Sequence, residues 1–112
     1  MWKDIARELC PPIMRRAFRK RGEVQKRVSL AAQLRAQYPD FDQGHLETIE
    51  FVHSHTMTSP ERIHALIEAI KYVVRRCIPG AIVECGVWRG GSIMAAARTL
   101  LMLGATDRDL YI

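Results

Sequence analysis

Cysteine is scarce and unpaired in this sequence: the three residues Cys10, Cys77 and Cys85 form no C-x-x-C pair and no Cys/His group at zinc spacing. That argues against a zinc module and predicts reduced, mostly buried thiols. No uninterrupted apolar run reaches the roughly 18 residues of a membrane span. The best candidate, "SIMAAARTLLMLGA", is broken by Arg98. The start, "MWKDIARELCPP", lacks the apolar h-region and small-residue cleavage site of a secretory signal, so a cytoplasmic location and no membrane attachment are expected. Internal repeats and low-complexity tracts are also missing. What remains is 112 residues, enough for one small domain and too few for two, with the 48% hydrophobic and 26% charged content of a foldable globular chain.

Charge is unevenly spread. Up to Arg35 ten Lys and Arg stand against Asp4, Glu8 and Glu23, a local +7, whereas from Ala36 onward seven basic residues meet nine acidic ones, a local −2. The stretch "RRAFRKRGEVQKR" could meet nucleic acid, an anionic surface or an acidic partner, but a solvated helix face flanking the domain is the favoured reading. No aromatic interleaving supports nucleic-acid binding, and none is expected. Of the four histidines, only "HSH", His53 and His55, hints at a metal, and without a third ligand nearby a helix end or loop is the reading.

Two helical patterns flank "CPP", where Pro11 and Pro12 interrupt a helix; Ile13, Met14, Ala17 and Phe18 form the apolar face of the second. "QYPDFDQG" reads as a loop, with Tyr38 pushed extended by Pro39. The clearest element is "TSPERIHALIEAIKYVVRRCIPG". Ile63, Leu66, Ile67, Ile70, Val73, Val74 and Cys77 line one stripe of a helix. Ser59 before Pro60 is favoured as its N-cap over a Thr58–Glu61 capping box, and Pro79 and Gly80 should stop it. "AIVEC", Ala81 to Cys85, reads as a strand buried on both faces. Ser92 then caps a helix, "SIMAAARTLLMLG", apolar almost all round and therefore expected to be buried on most sides; Gly104 ends it, and "LYI" begins a second strand. Helices, strand, glycine loop, helix and strand form the opening half of a doubly wound α/β fold.

Between strand and helix lies "VECGVWRGGS", spaced Glu84-x-Gly86-x-x-x-Gly90-Gly91. Such a turn places backbone N–H groups of the helix start at the carboxyl end of the strand, where a nucleotide-sized ligand can bind. Trp88 takes the place of the second glycine of G-x-G-x-x-G, so pyrophosphate contact is not expected. An acid at the end of the strand suits a cofactor with a positive amino group and sulfonium. A glycine turn needed only for tight packing remains an equal alternative.

"TMTSPERIHALIEAIKYVV" followed by "IPGAIVECGVWRGGSIMAAARTL" resembles the macrocin O-methyltransferase-like family of sugar O-methyltransferases, over about Tyr38 to Ile112. The resemblance implies a class I, Rossmann-like methyltransferase fold, of which this chain would supply the N-terminal helices and first β-α-β, with residues 1–37 a basic helical segment and 38–112 the opening of the S-adenosylmethionine-binding domain. It implies a first cofactor loop of Glu84, Gly86, Val87, Trp88, Gly90, Gly91 and Ser92, with Glu84 facing the cofactor's amino group and Thr56 and Met57 lying over it. For Trp88 a plug between helix and sheet is an equal alternative, and Arg89 reads as a surface or salt-bridge residue. The implied substrate is a sugar or glycosylated natural product, and the full-length family implies Mg2+ and a homo-oligomer. The ribose acid and the metal ligands of the family would fall beyond Ile112, so the chain is expected to be an N-terminal part, inactive alone, with no catalytic or metal-binding residue assigned. Its helix residues Ile93, Met94, Leu100 and Leu103 are expected to lack partners, making the isolated chain prone to association. A non-catalytic module using the basic arm, or another nucleotide-binding α/β protein, stays open.

Overall fold

The computed structural model describes Lys20 and residues 30–112. Cys10 and the two helical patterns around "CPP" lie outside the described residues. From residue 30 the order is α1 (30–37), α2 (Gln43–Val52), a 3-10 turn (His53–His55), α3 (Pro60–Arg75), β1 (Ile82–Val83), α4 (Gly91–Met102) and β2 (Leu110–Tyr111). The two strands pair in parallel, Ile82 with Leu110 and Val83 with Tyr111. The described residues are thus a helix-rich α/β unit with a two-stranded parallel sheet.

α2 is the element the sequence reading left out, and the expected loop Gln37–Gly44 is shorter at both ends, since Gln37 belongs to α1 and Gln43 and Gly44 to α2. The reason is an unusual cap. The Asp42 carboxylate accepts from His45 N at 2.8 Å while Asp42 N–H donates to His45 Nδ1 at 3.1 Å, a reciprocal capping box in which histidine stands where Glu or Gln is usual. α3 starts as expected, with Ser59 as N-cap and Pro60 in the first turn. Glu61 also accepts from Tyr38 Oη at 2.6 Å, pinning the α1–α2 connection to α3.

The end of α3 differs from expectation. It stops before Pro79: Ile78 N donates to Val73 O and Cys77 N to Val74 O, both at 3.0 Å, a Schellman motif with Cys77 left-handed at φ 51°. Cys77 therefore leaves the helical stripe. α4 ends in the same motif, Ala105 N to Leu100 O and Gly104 N to Leu101 O, with Gly104 at φ 69° as anticipated. Cys77 and Cys85 are both exposed, against the expectation of buried thiols, because each sits in a connection outside the packed helices.

Two apolar clusters form the core. In one, Leu34, Leu46, Ile49 and Val52 meet Ile63, Ile67 and Ala95; in the other, Ile70, Ala96 and Leu100 receive Ile82 and Leu110 from the sheet. α4 thus has partners that the sequence reading denied it, since α2 and α3 both cover it: Leu100 is buried, and Ile93 and Met94 pack against the clusters. Its far side stays open, with Leu101 and Met102 exposed, so burial on most sides does not hold. Nor is β1 buried on both faces. Successive strand residues point to opposite sides and the helices lie on one, leaving Val83 62% and Tyr111 56% exposed.

α2 and α3 are also clamped by a polar group. His45 Nε2 lies 2.7 Å from Glu68 Oε1, which accepts from Lys71 Nζ at 2.8 Å, while the His64 ring stacks on Phe41. Hydrogen bonds from Lys71 and His45 hold the Glu68 carboxyl below its ordinary range. Asp42 is also lowered: burial pushes it up, but the His45 backbone N–H and the charges of His45 and Lys71 outweigh that. Burial, together with His45 and Lys71 nearby, lowers the His64 imidazole despite Glu68 and Asp42. For each of these three groups the unfolded chain binds protons more readily than the folded one, so acid destabilises. The melting temperature is expected to begin falling as pH drops through 6.5 toward the lower folded value of His64, and to fall again below 4.5 as Glu68 and Asp42 protonate. A pH series of thermal melts should lose the first of these declines in His64→Gln. Separately, Cys77→Gly is expected to raise stability by about 1 kcal/mol by relieving the left-handed position, read from urea midpoints.

Candidate functional site

β1 delivers the chain to Glu84, whose N–H donates to Tyr111 O at 2.9 Å and so completes the strand pairing at its carboxyl end. The Glu84 side chain then turns toward α4, where Oε2 accepts from Ile93 N at 3.1 Å. Gly90, left-handed at φ 81°, is the N-cap of α4 and offers no side-chain acceptor. Ile93 is the third helical residue, and its N–H is the donor that an N-cap side chain ordinarily takes. Glu84 fills that role from the preceding strand. The expected cap, Ser92, lies inside the helix instead, one residue past its start.

The loop's glycines serve two different needs. At Gly86, φ is 84° and an added Cβ would meet nothing within 4 Å, so the backbone turn requires glycine. At Gly91 the need is space. A Cβ there would sit 2.5 Å from Thr56 Cβ and 2.6 Å from His55 O. α4 therefore begins directly against the segment that leads into α3, and "TMTSPER" and "VECGVWRGGS", apart in sequence, meet in space. Thr56 is extended, its Oγ1 accepting from Thr58 N at 2.9 Å, and Met57 is 76% exposed. Both line a cavity of about 220 Å³ with His53, Val52 and Ile63.

Val87 and Trp88 project from the loop. Trp88 is 53% exposed with the Arg89 guanidinium 4.6 Å from its ring centroid, so it does not plug the helix–sheet contact. Ile93, Ile82 and Leu110 already fill that space. Arg89 is a surface residue, as expected. The structure thus gathers Glu84, Gly90, Gly91, Ser92 and Thr56 around the start of α4 and leaves Met57, Val87 and Trp88 as exposed flanks.

One constellation escaped the sequence reading. Among the described residues a single group of three potential metal ligands occurs, His45, His64 and Glu68, and neither His53 nor His55 belongs to it. The available signals were the Asp42-x-x-His45 cap and the i, i+4 spacing of His64 and Glu68 on one helix face.

The parallel β-α-β unit, with a glycine loop and an acid at the strand end, makes the described residues a small, helix-rich α/β unit. The chain belongs to the macrocin O-methyltransferase (TylF) family, whose model matches residues 4–112, reaching into the basic segment as well. It is 32% identical over 59 residues to the mycinamicin III 3''-O-methyltransferase of Micromonospora griseorubida, 53% of this chain and 23% of that one. Over 59 residues it is 36% identical to the 8-demethyl-8-(2,3-dimethoxy-alpha-L-rhamnosyl)-tetracenomycin-C 4'-O-methyltransferase of Streptomyces olivaceus, again 53% and 23%. Identity to the demethyldecarbamoylnovobiocin O-methyltransferase of Streptomyces niveus is 30% over 59 residues, 53% and 22%. The matched stretch spans less than a quarter of each of these relatives. No solved structure matches the chain. No helix among the described residues is long and apolar enough to cross a membrane.

Gly91→Ala is expected to cost about 1–3 kcal/mol through overpacking against His55 and Thr56. Chemical denaturation of Gly91→Ala with and without Thr56→Gly checks the cause, since removing the Thr56 side chain should restore part of the loss.

Proposed function

We propose that this chain carries the opening of the cofactor site of an S-adenosylmethionine-dependent O-methyltransferase that acts on a sugar hydroxyl of a glycosylated natural product. The observation that carries the reading is the Glu84 carboxylate set against the N-terminus of α4, on a loop whose family membership is established. In this reading residues 38–112 open the cofactor-binding domain of a Rossmann-like fold and residues 1–37 are a separate basic segment.

The residues present fit the methionine end of that cofactor, which is a zwitterion. Glu84 supplies an anion for its ammonium, and the first N–H groups of α4, with the helix dipole behind them, suit its carboxylate. Gly86, Gly90 and Gly91 keep the loop low and Ser92 adds a hydroxyl beside it. Thr56 and Met57 would cover the bound molecule, and Val87 and Trp88 would flank it. The cofactor supplies an activated methyl group on sulfur. Transfer to a hydroxyl is an in-line displacement, so the contribution of these residues is alignment. No described residue is assigned the task of taking the hydroxyl proton. Mg2+ does not fit what is present: it requires oxygen ligands in octahedral array, whereas the ligand cluster among the described residues has two imidazoles and one carboxylate. No step is derived through it.

Titration of the full chain with S-adenosylmethionine, and in parallel with NAD, tests the proposal. Binding of the first and not the second is expected. Glu84→Gln keeps an oxygen for Ile93 N but removes the charge, and should weaken binding by about 2 kcal/mol, or ~30-fold. Preference for NAD, or an affinity unchanged in Glu84→Gln, would refute the assignment.

A further inference from the structure

We propose that His45, His64 and Glu68 bind a divalent first-row transition cation of the Zn2+ type, in the space where the Lys71 ammonium now lies between His45 and Glu68. Each of the three residues offers one ligand atom, and these atoms all lie within 4.8 Å of one another. Zn2+ bonds of about 2.0–2.2 Å in tetrahedral array put ligand atoms roughly 3.3 Å apart, so small side-chain rotations close the site.

The supporting shell is already in place. His64 and Glu68 project from one face of α3, and His45 comes from α2, so all three ride on packed helices. The His64 ring is held by stacking on Phe41, centroids 4.1 Å apart and planes 5° from parallel, and the buried His45 ring lies 4.4 Å from it. A histidine ligand needs its second nitrogen held by an acceptor, most often a carboxylate. His45 Nδ1 lies 3.0 Å from Asp42 Oδ1. Moving the ring proton to Nδ1, where Asp42 Oδ1 accepts it in place of the Asp42 N–H bond of the capping box, frees the Nε2 lone pair for a cation in a carboxylate–histidine–cation arrangement.

That same tautomer explains the position of Lys71. Its Nζ lies 3.0 Å from His45 Nε2 and 2.8 Å from Glu68 Oε1, a cation held by two of the three donors a metal would take. In the other tautomer Asp42 N–H donates to Nδ1 and Nε2–H donates to Glu68, so cation binding exchanges these two hydrogen bonds for the Nδ1–Asp42 bond and a bond from Nε2 to the metal. On metal binding Lys71 leaves on its flexible stem toward Asp42 Oδ2, already 3.5 Å away, or toward solvent. Two imidazoles and one carboxylate favour Zn2+, Co2+ or Ni2+ over Mg2+ or Ca2+. The cation would tie α2 to α3 and stabilise the folded chain by mass action.

Co2+ titration of the full chain, followed by its visible d–d absorption, tests the site. One equivalent is expected, displaced by Zn2+ but not by Mg2+, with a rise in melting temperature. His64→Gln and Glu68→Gln should each weaken binding by at least about tenfold, the order that loss of even an outer partner costs. Lys71→Met should tighten it, a gain that misfolding cannot mimic. The proposal is overturned if Co2+ does not bind saturably or if a thiolate charge-transfer band shows ligation by cysteine. It fails equally if binding follows His53→Gln and His55→Gln in place of His64→Gln, or if Lys71→Met leaves affinity unchanged.

Discussion

The contact of Gly91 with the backbone of His55 and the side chain of Thr56 is the constraint on which the rest of this structure depends. It fixes where α4 begins relative to α2 and α3, and α4 is the helix shared by both apolar clusters. Because that helix starts without a Cβ at its first residue, Ala95 and Ala96 can settle fully into the helical layer. The sheet then follows, since Ile82 and Leu110 rest on the neighbouring stretch of α4 and α3. The candidate cofactor loop follows from this close approach, suspended between the strand end and a helix packed against α2 and α3.

Helix ends in this protein are satisfied by whatever residue geometry brings to them. Glu84 caps α4 across nine positions of sequence, and His45 closes the capping box of α2. The same Schellman motif ends α3 on Cys77 and α4 on Gly104, although only the glycine takes φ > 0 without steric cost. A buried histidine caps one helix while facing a carboxylate and an ammonium on another, so the α2–α3 contact is polar as well as apolar. Coupling of cap and clamp means that protonation or cation exchange at one group is felt at the other.

Much of the framework was legible in the residues. The Ile63, Ile67 and Ile70 spacing, the Ser59–Pro60 start and the Gly104 stop each state a local preference that tertiary packing does not contradict. α2 was illegible because its cap uses histidine and its buried face includes His45 and Thr48, which read as surface residues. The depth of burial also went unread: alternation along β1 shows that two faces exist but not which of them a helix will cover.

By itself the sequence determined the order of elements from α3 onward, the position of the glycine loop and the motif pair that carries family membership, because these rest on local dihedral preference and residue identity. Only the tertiary structure decided that Glu84 spends one oxygen on a helix N-terminus, that Trp88 stands exposed beside Arg89, and that His45 meets His64 and Glu68. Those outcomes depend on which helices share a face and how closely they approach. Such distances arise from packing between segments far apart in the chain, and no single window of residues encodes them.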